Sequence, residues 1–145
     1  MLDVSGKSKT LRTAIARGEV LMRPETLRLI RENALAKRDV LPTARAAACL
    51  AAKRTSDLIP DCHPLALTQV EVVLKPVEPD RVETTATVRT EDRTGVEMEA
   101  LTAVAVACLT VYDMAKGVDP GMRISGISLV SKTGGKSDYA VAAGK

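Results

Sequence analysis

The stretch that most constrains this chain is Gly95 to Gly117, GVEMEALTAVAVACLTVYDMAKG. Its middle, Ala100 to Val111, is apolar or small almost all round, and no proline interrupts it. A glycine brackets each end. Such a segment predicts a central helix buried on more than one side. Its polar residues sit only at the ends: Glu97 and Glu99 at the head, Asp113 and Lys116 at the foot. At roughly 100° per residue, Glu99 and Asp113 fall within about 40° of each other around the axis. Asp113 and Lys116 are i,i+3 neighbours. One reading is a helix with an acid at its head and an acid–amine pair at its foot, facing the same side. The other is a helix whose end charges simply complement its macrodipole. The segment alone leaves both open.

A buried helix needs a core around it. The chain has 145 residues, enough for one domain, and only two aromatics, Tyr112 and Tyr139. The core is therefore expected to consist of Ala, Val, Leu, Ile and Met. The central helix contains only about a dozen uninterrupted apolar or small residues, short of a membrane span. The N-terminal residues lack the pattern of a signal peptide. The expectation is a cytoplasmic protein with no membrane partner.

The formal net charge is +3. That is too little for a general nucleic-acid surface, and base-stacking aromatics are almost absent. Lys37-Arg38, Lys53-Arg54, Lys132 and Lys136 suit a small polyanionic ligand better, or simply a solvated surface. Three cysteines, Cys49, Cys62 and Cys108, are odd in number and far apart, which argues against a disulfide framework. Cys49 and Cys108 lie in apolar helical runs and read as core residues. The single histidine, His63, stands between Cys62 and Pro64 in a proline-bounded loop, where a structural and a functional role are equally open.

In chain order, residues 1–18 read as a mobile N-terminal arm containing Lys7 and Arg12. Glu19 to Arg23 reads as a short strand. Pro24 opens a helix, PETLRLIREN, that Asn33 can close. Lys37 to Asp39 reads as a loop, and Leu41 to Ser56 as an Ala-rich second helix with Lys53 at the end of its apolar stripe. Thr68 to Lys75 and Arg81 to Thr90 alternate with period two and form a hairpin around PVEPD. Met122 to Val130 is a final strand. Residues 131–145 read as a flexible, Gly- and Lys-rich segment in which Gly134-Gly135, between Lys132 and Lys136, could wrap an anion with backbone N–H groups. The pattern predicts a single domain over 1–145 of α+β class: a ferredoxin-like βαββαβ antiparallel sheet with an additional helix, the helices on one face. The bare sheet face and edges favour an oligomer.

Several blocks resemble the molybdenum-cofactor biosynthesis protein C (MoaC) family: MLDVSGK at 1–7, AAKRTSDLIP at 51–60, DLIPDCHPL at 57–65, GVEMEALTA at 95–103, VYDMAKGV at 111–118 and KTGGKS at 132–137. They cover nearly the whole chain in the family's order. The chain departs from the pattern where LIPLCHP has Asp61 for Leu, where YDMCKA reads YDMAKG, where GGKSG reads GGKSD, and in the length of the arm before MLDV. The resemblance implies a lyase that converts (8S)-3′,8-cyclo-7,8-dihydroguanosine 5′-triphosphate, supplied by a radical-SAM partner enzyme, to cyclic pyranopterin monophosphate and diphosphate. It implies a homohexamer, a trimer of dimers, with sites between subunits. It implies Asp113 and Lys116 as the catalytic pair. Asp61, Cys62, His63, Met98 and Glu99 then line the substrate, with Lys37, Lys53 and Lys132 on its phosphates and purine. The sequence requires no cofactor and suggests no protein-bound metal; Mg²⁺ could arrive with the triphosphate. An inactive paralogue that keeps the fold, and a nucleotide-binding regulatory domain, are the competing readings.

Overall fold

The computed structural model describes residues 1–142. The elements run β1 (Thr10–Leu21), α1 (Pro24–Arg31), α2 (Val40–Lys53), α3 (Thr55–Leu58), β2 (Leu67–Val77), β3 (Arg81–Asp92), α4 (Glu97–Ala115), β4 (Arg123–Thr133) and β5 (Tyr139–Ala140). The strands form one sheet in the order β2-β3-β1-β4-β5, and every neighbouring pair is antiparallel. With α2 connecting β1 to β2 and α4 connecting β3 to β4, the first four strands make the ferredoxin-like βαββαβ arrangement. The additional helix is α1.

β1 corrects the expected arm. It starts at Thr10, not Glu19, and is a central strand, paired with β3 from Thr10↔Asp92 to Leu21↔Arg81 and with β4 on its other side. Its core-facing positions are Ala14, Ala16, Gly18 and Val20, all buried. Ala and Gly give almost no periodic hydrophobic signal, so a fully buried strand reads in the sequence as a polar tail. The C-terminal segment is likewise partly in the sheet: β4 reaches Thr133, and Tyr139–Ala140 pairs back onto Ser131 and Lys132. Residues 143–145 of that segment lie outside the described residues.

One core cluster draws on β1, β2, β3, α1, α2 and α4. Small residues let its layers approach. Ala44, Ala48, Ala51 and Ala52 of α2 are buried, as are Ala100, Ala103 and Ala107 of α4. At Gly18 a Cβ would lie 2.8 Å from Val104 Cγ1 and 3.0 Å from Ile127 Cγ1, so α4 crosses β1 where β1 has no side chain. Cys108 is fully buried in α4 and burial pushes its thiol up to about 11. By length and composition α4 could cross a membrane, yet it is a core helix, half of it buried inside this fold. The opposite sheet face presents Arg17, Val73, Glu83 and Thr85 to solvent.

α1 ends at Arg31, two residues earlier than its polar tail suggests, through a Schellman motif. Asn33 N–H donates to Ile30 O at 3.2 Å and Ala34 N–H to Leu29 O at 2.9 Å, with Asn33 left-handed at φ 54°. At its other end, Asp119 is buried after α4 and accepts from Arg23 N–H and Thr26 Oγ1, each at 2.9 Å. That bond pair ties the foot of α4 to the start of α1.

Candidate active site

The foot of α4 carries a three-membered charge cluster. Asp113 Oδ1 lies 3.0 Å from Lys116 Nζ, one turn along the helix, and Asp113 Oδ2 lies 3.1 Å from Lys37 Nζ. Lys37 comes from the loop between α1 and α2 and also donates to the Asp113 carbonyl at 3.4 Å. Each carboxylate oxygen thus holds one ammonium. Hydrogen bonding from Lys116 first, and from Lys37 second, keeps the Asp113 carboxyl below its ordinary value. The cluster is about half exposed on a single chain. A carboxylate shared by two amines can orient a proton carrier and keep cationic charge ready for an anionic leaving group.

The head of α4 meets the 57–65 loop. Asp61, Cys62, His63, Glu97, Met98 and Glu99 line one small cleft of about 110 Å³. His63 Nε2 lies 2.6 Å from Leu2 O; a carbonyl can only accept, so that nitrogen carries the proton. Asp61 stands out in solvent, 3.3 Å from the α-amino group of Met1. Burial, with Glu99, Asp61 and Glu97 nearby, raises the Cys62 thiol, which favours the protonated form. Glu99 is only 5% exposed, and its Oε2 has no hydrogen-bond partner among the described residues. Burial is the main cause that pushes its carboxyl up to about 7; its own backbone N–H opposes the shift and Glu97 adds to it. A carboxyl in that range can hold or give up a proton near neutral pH.

A basic cleft of about 190 Å³ adjoins this one, sharing Thr94, Gly95 and Glu97 with it. Lys7, Arg12, Lys132 and Lys136 line it. Arg12 is fixed by donating to Asp92 O at 2.9 Å and Arg93 O at 3.1 Å. Gly134 turns the chain at φ +94°, where a Cβ would fall 2.0 Å from Leu11 O, so only glycine fits. The sequence reading left Lys7 and Arg12 in a mobile arm and out of the site. The signal that brings Arg12 in is strand pairing: Thr13 opposite Thr133 sets it beside the glycine turn. Lys7 precedes β1 and lines the same cleft.

The expected site residues therefore fall in separate places on one chain. Asp61, Cys62, His63, Met98 and Glu99 come together, and Lys132 adjoins them. Asp113, Lys116 and Lys37 come together elsewhere. Lys53 faces a third hollow, between α2 and the start of β2, with Cys49, Leu67 and Gln69. Fourteen residues separate Glu99 from Asp113, about 21 Å of helix rise. The similar angular position read from the sequence does not give them one environment: Glu99 is buried and Asp113 exposed. Among the described residues no three His, Cys, Asp or Glu side chains gather as a metal cage.

A carboxylate bridged by two amines at one end of a core helix, with a shielded protonatable carboxyl at the other, can serve acid–base chemistry on a ferredoxin-like sheet. Comparison with known proteins gives the family. Residues 1–135 match the MoaC family, and the chain belongs to it. It is 61% identical over 141 residues to the cyclic pyranopterin monophosphate synthase of Methylobacterium sp. (strain 4-46), covering 94% of this chain and 86% of that protein. The enzyme of the same name from Thermomicrobium roseum is 60% identical over 138 residues, covering 94% and 83%. Cyclic pyranopterin monophosphate synthase 1 of Mycobacterium tuberculosis (strain ATCC 25618 / H37Rv) is 60% identical over 137 residues, covering 94% and 81%.

Proposed function

We propose that this chain is a cytoplasmic lyase that converts (8S)-3′,8-cyclo-7,8-dihydroguanosine 5′-triphosphate to cyclic pyranopterin monophosphate with release of diphosphate, a step of molybdenum cofactor biosynthesis. The observation that carries the assignment of roles is the Asp113 carboxylate held between Lys116 and Lys37. Purine-ring opening and pterin closure require repeated proton transfers; Lys116 carries the proton and Asp113 orients it. In the phosphate step a ribose-derived hydroxyl oxygen attacks the α-phosphorus, its proton passes to the base, and the bond to diphosphate breaks. Lys37, Lys53 and Lys132 hold the phosphate charge, and Lys7 and Arg12 extend that cationic surface. Asp61, Cys62, His63, Met98 and Glu99 line the ring system. Mg²⁺, when it takes part, enters on the triphosphate.

The two ends of α4 lie too far apart for one chain to serve one substrate with both. We assign the complete site to an interface, the foot of α4 from one protomer meeting the head of α4 from another, in a homohexamer arranged as a trimer of dimers. A radical-SAM enzyme supplies the substrate. The second reading, an inactive paralogue, rests on Asp61, an exposed carboxylate beside a cleft meant for polyphosphate. Incubating purified protein with the cyclised triphosphate and following diphosphate and cyclic phosphate by ³¹P NMR decides between them: stoichiometric appearance of both supports the lyase, and binding without either supports the paralogue.

A further inference from the structure

The loop that carries Lys37 is closed by a side-chain pair with no part in the core. α1 ends at Arg31 and α2 begins at Val40. Among the described residues, the non-glycine positions with positive φ are both in this connection: Asn33 at 54° and Asp39 at 59°. Asn and Asp tolerate this conformation when their side chains bond locally. Here they bond each other. Asp39 N–H donates to Asn33 Oδ1 at 2.8 Å, and Asn33 Nδ2 donates to Asp39 Oδ1 at 3.2 Å.

Neither residue is needed in that form for its helix. The Schellman turn at Asn33 is backbone work that glycine does at least as well. Asp39 precedes α2, and its carbonyl accepts from Thr43 N–H at 3.0 Å, but its carboxylate makes no capping bond. A capping Asp ordinarily has extended backbone and turns its carboxylate onto the first free N–H groups of its helix. α2 forgoes that bond, and the carboxylate closes the loop instead. Inside the closed loop, Leu35 is buried at 6% exposure and anchors the chain. Two residues on, Lys37 leaves the loop and reaches Asp113. A lysine has a long flexible stem, so its ammonium stays at one carboxylate only as far as its backbone is held.

We propose that Asn33 and Asp39 are positioning residues: their reciprocal hydrogen bonds fix the 32–39 loop so that Lys37 stays on Asp113 and the carboxylate remains bridged between two amines. The proposal rests on the reading of Asp113, Lys116 and Lys37 as site residues. The proposal requires no contact of Asn33 or Asp39 with the substrate. Both act through Lys37.

Asn33→Gly keeps the left-handed turn and removes both bonds. Asp39→Asn keeps an acceptor oxygen and the backbone donor, and so retains the pair. Asn33→Gly is expected to lower kcat by about tenfold or more, while Asp39→Asn stays within a few-fold of the parent. In a Lys37→Ala background, Asn33→Gly should cost nothing further, because the residue it positions is gone. A loss of the same size in both backgrounds overturns the proposal, as does a lowered melting temperature with kcat unchanged. A second readout needs no turnover: ¹³C NMR titration of the Asp113 carboxyl. Loosening the loop should move that pKa upward, toward its value in Lys37→Ala. An Asp113 titration in Asn33→Gly identical to the parent's overturns the proposal even if no variant makes product. Total absence of product in the parent, with the Asp113 shift present, would instead sink the assigned reaction and leave the positioning intact.

Discussion

Replacing Glu99 by Gln should make the protein more stable and less active, with a pH dependence that identifies the cause. Glu99 is buried, one carboxylate oxygen lacks a partner, and its pKa rises from 4.5 to about 7. Below pH 4.5 the side chain is protonated in folded and unfolded chains alike and contributes nothing to the difference. Between 4.5 and 7 the unfolded chain releases a proton that the folded one keeps, so stability falls as pH rises. Above 7 the folded protein bears the whole penalty of a buried charge. At 1.36 kcal/mol per pKa unit this amounts to roughly 3 kcal/mol. Gln has the same shape, cannot ionise and bears no such penalty. At about 3 °C per kcal/mol for a domain of this size, Glu99→Gln should melt about 10 °C higher than the parent near pH 8. The two should melt together near pH 4. The assay is thermal and urea unfolding of both proteins across that range at one protein concentration. Product formation, measured alongside, should fall in Glu99→Gln, because an amide can donate a hydrogen bond but cannot relay a proton. Parallel stability profiles for the two proteins would refute the reasoning, since the penalty would then not belong to Glu99.

Lys116→Ala and Lys116→Arg should both abolish single-turnover product formation while ligand binding survives, because guanidinium keeps its proton. The double variant with Asp113→Asn should be little worse than either single one, and near-normal turnover by Lys116→Arg would remove Lys116 from proton transfer. Asp61→Leu should tighten triphosphate binding or leave it unchanged, with the larger effect at low salt; a calorimetric titration showing a large loss of affinity would contradict this. Gly134→Ala should weaken triphosphate binding, because its Cβ would fall 2.0 Å from Leu11 O and push the 133–137 turn off Arg12; unchanged binding would take that turn out of the phosphate site. Light scattering should show an oligomer at working concentration, and a monomer that turns over substrate would contradict the interface site.

The sequence by itself determined the central helix, the hairpin, the α+β class and the family blocks. Each is written in local terms: apolar period, turn residues, or long unusual motifs. It also determined the Asp113–Lys116 contact, because a helix brings i and i+3 together wherever it is placed. It could not determine β1, because the core side of that strand is Ala, Ala, Gly and Val, and small residues reveal themselves as buried only when α4 lies across them. The Lys37–Asp113 ion pair, and the gathering of Arg12 and Lys7 with Lys132 around one cleft, exist only in the tertiary structure, since the residues that meet are far apart in the chain. The two acids on α4 mark the division most clearly. The helical period gave them nearly the same angle, but the packing around each end made one a shielded carboxyl with its pKa raised to about 7 and the other an ion-paired carboxylate about 21 Å away. A pKa depends on what surrounds a group, and those surroundings exist only after the chain has folded.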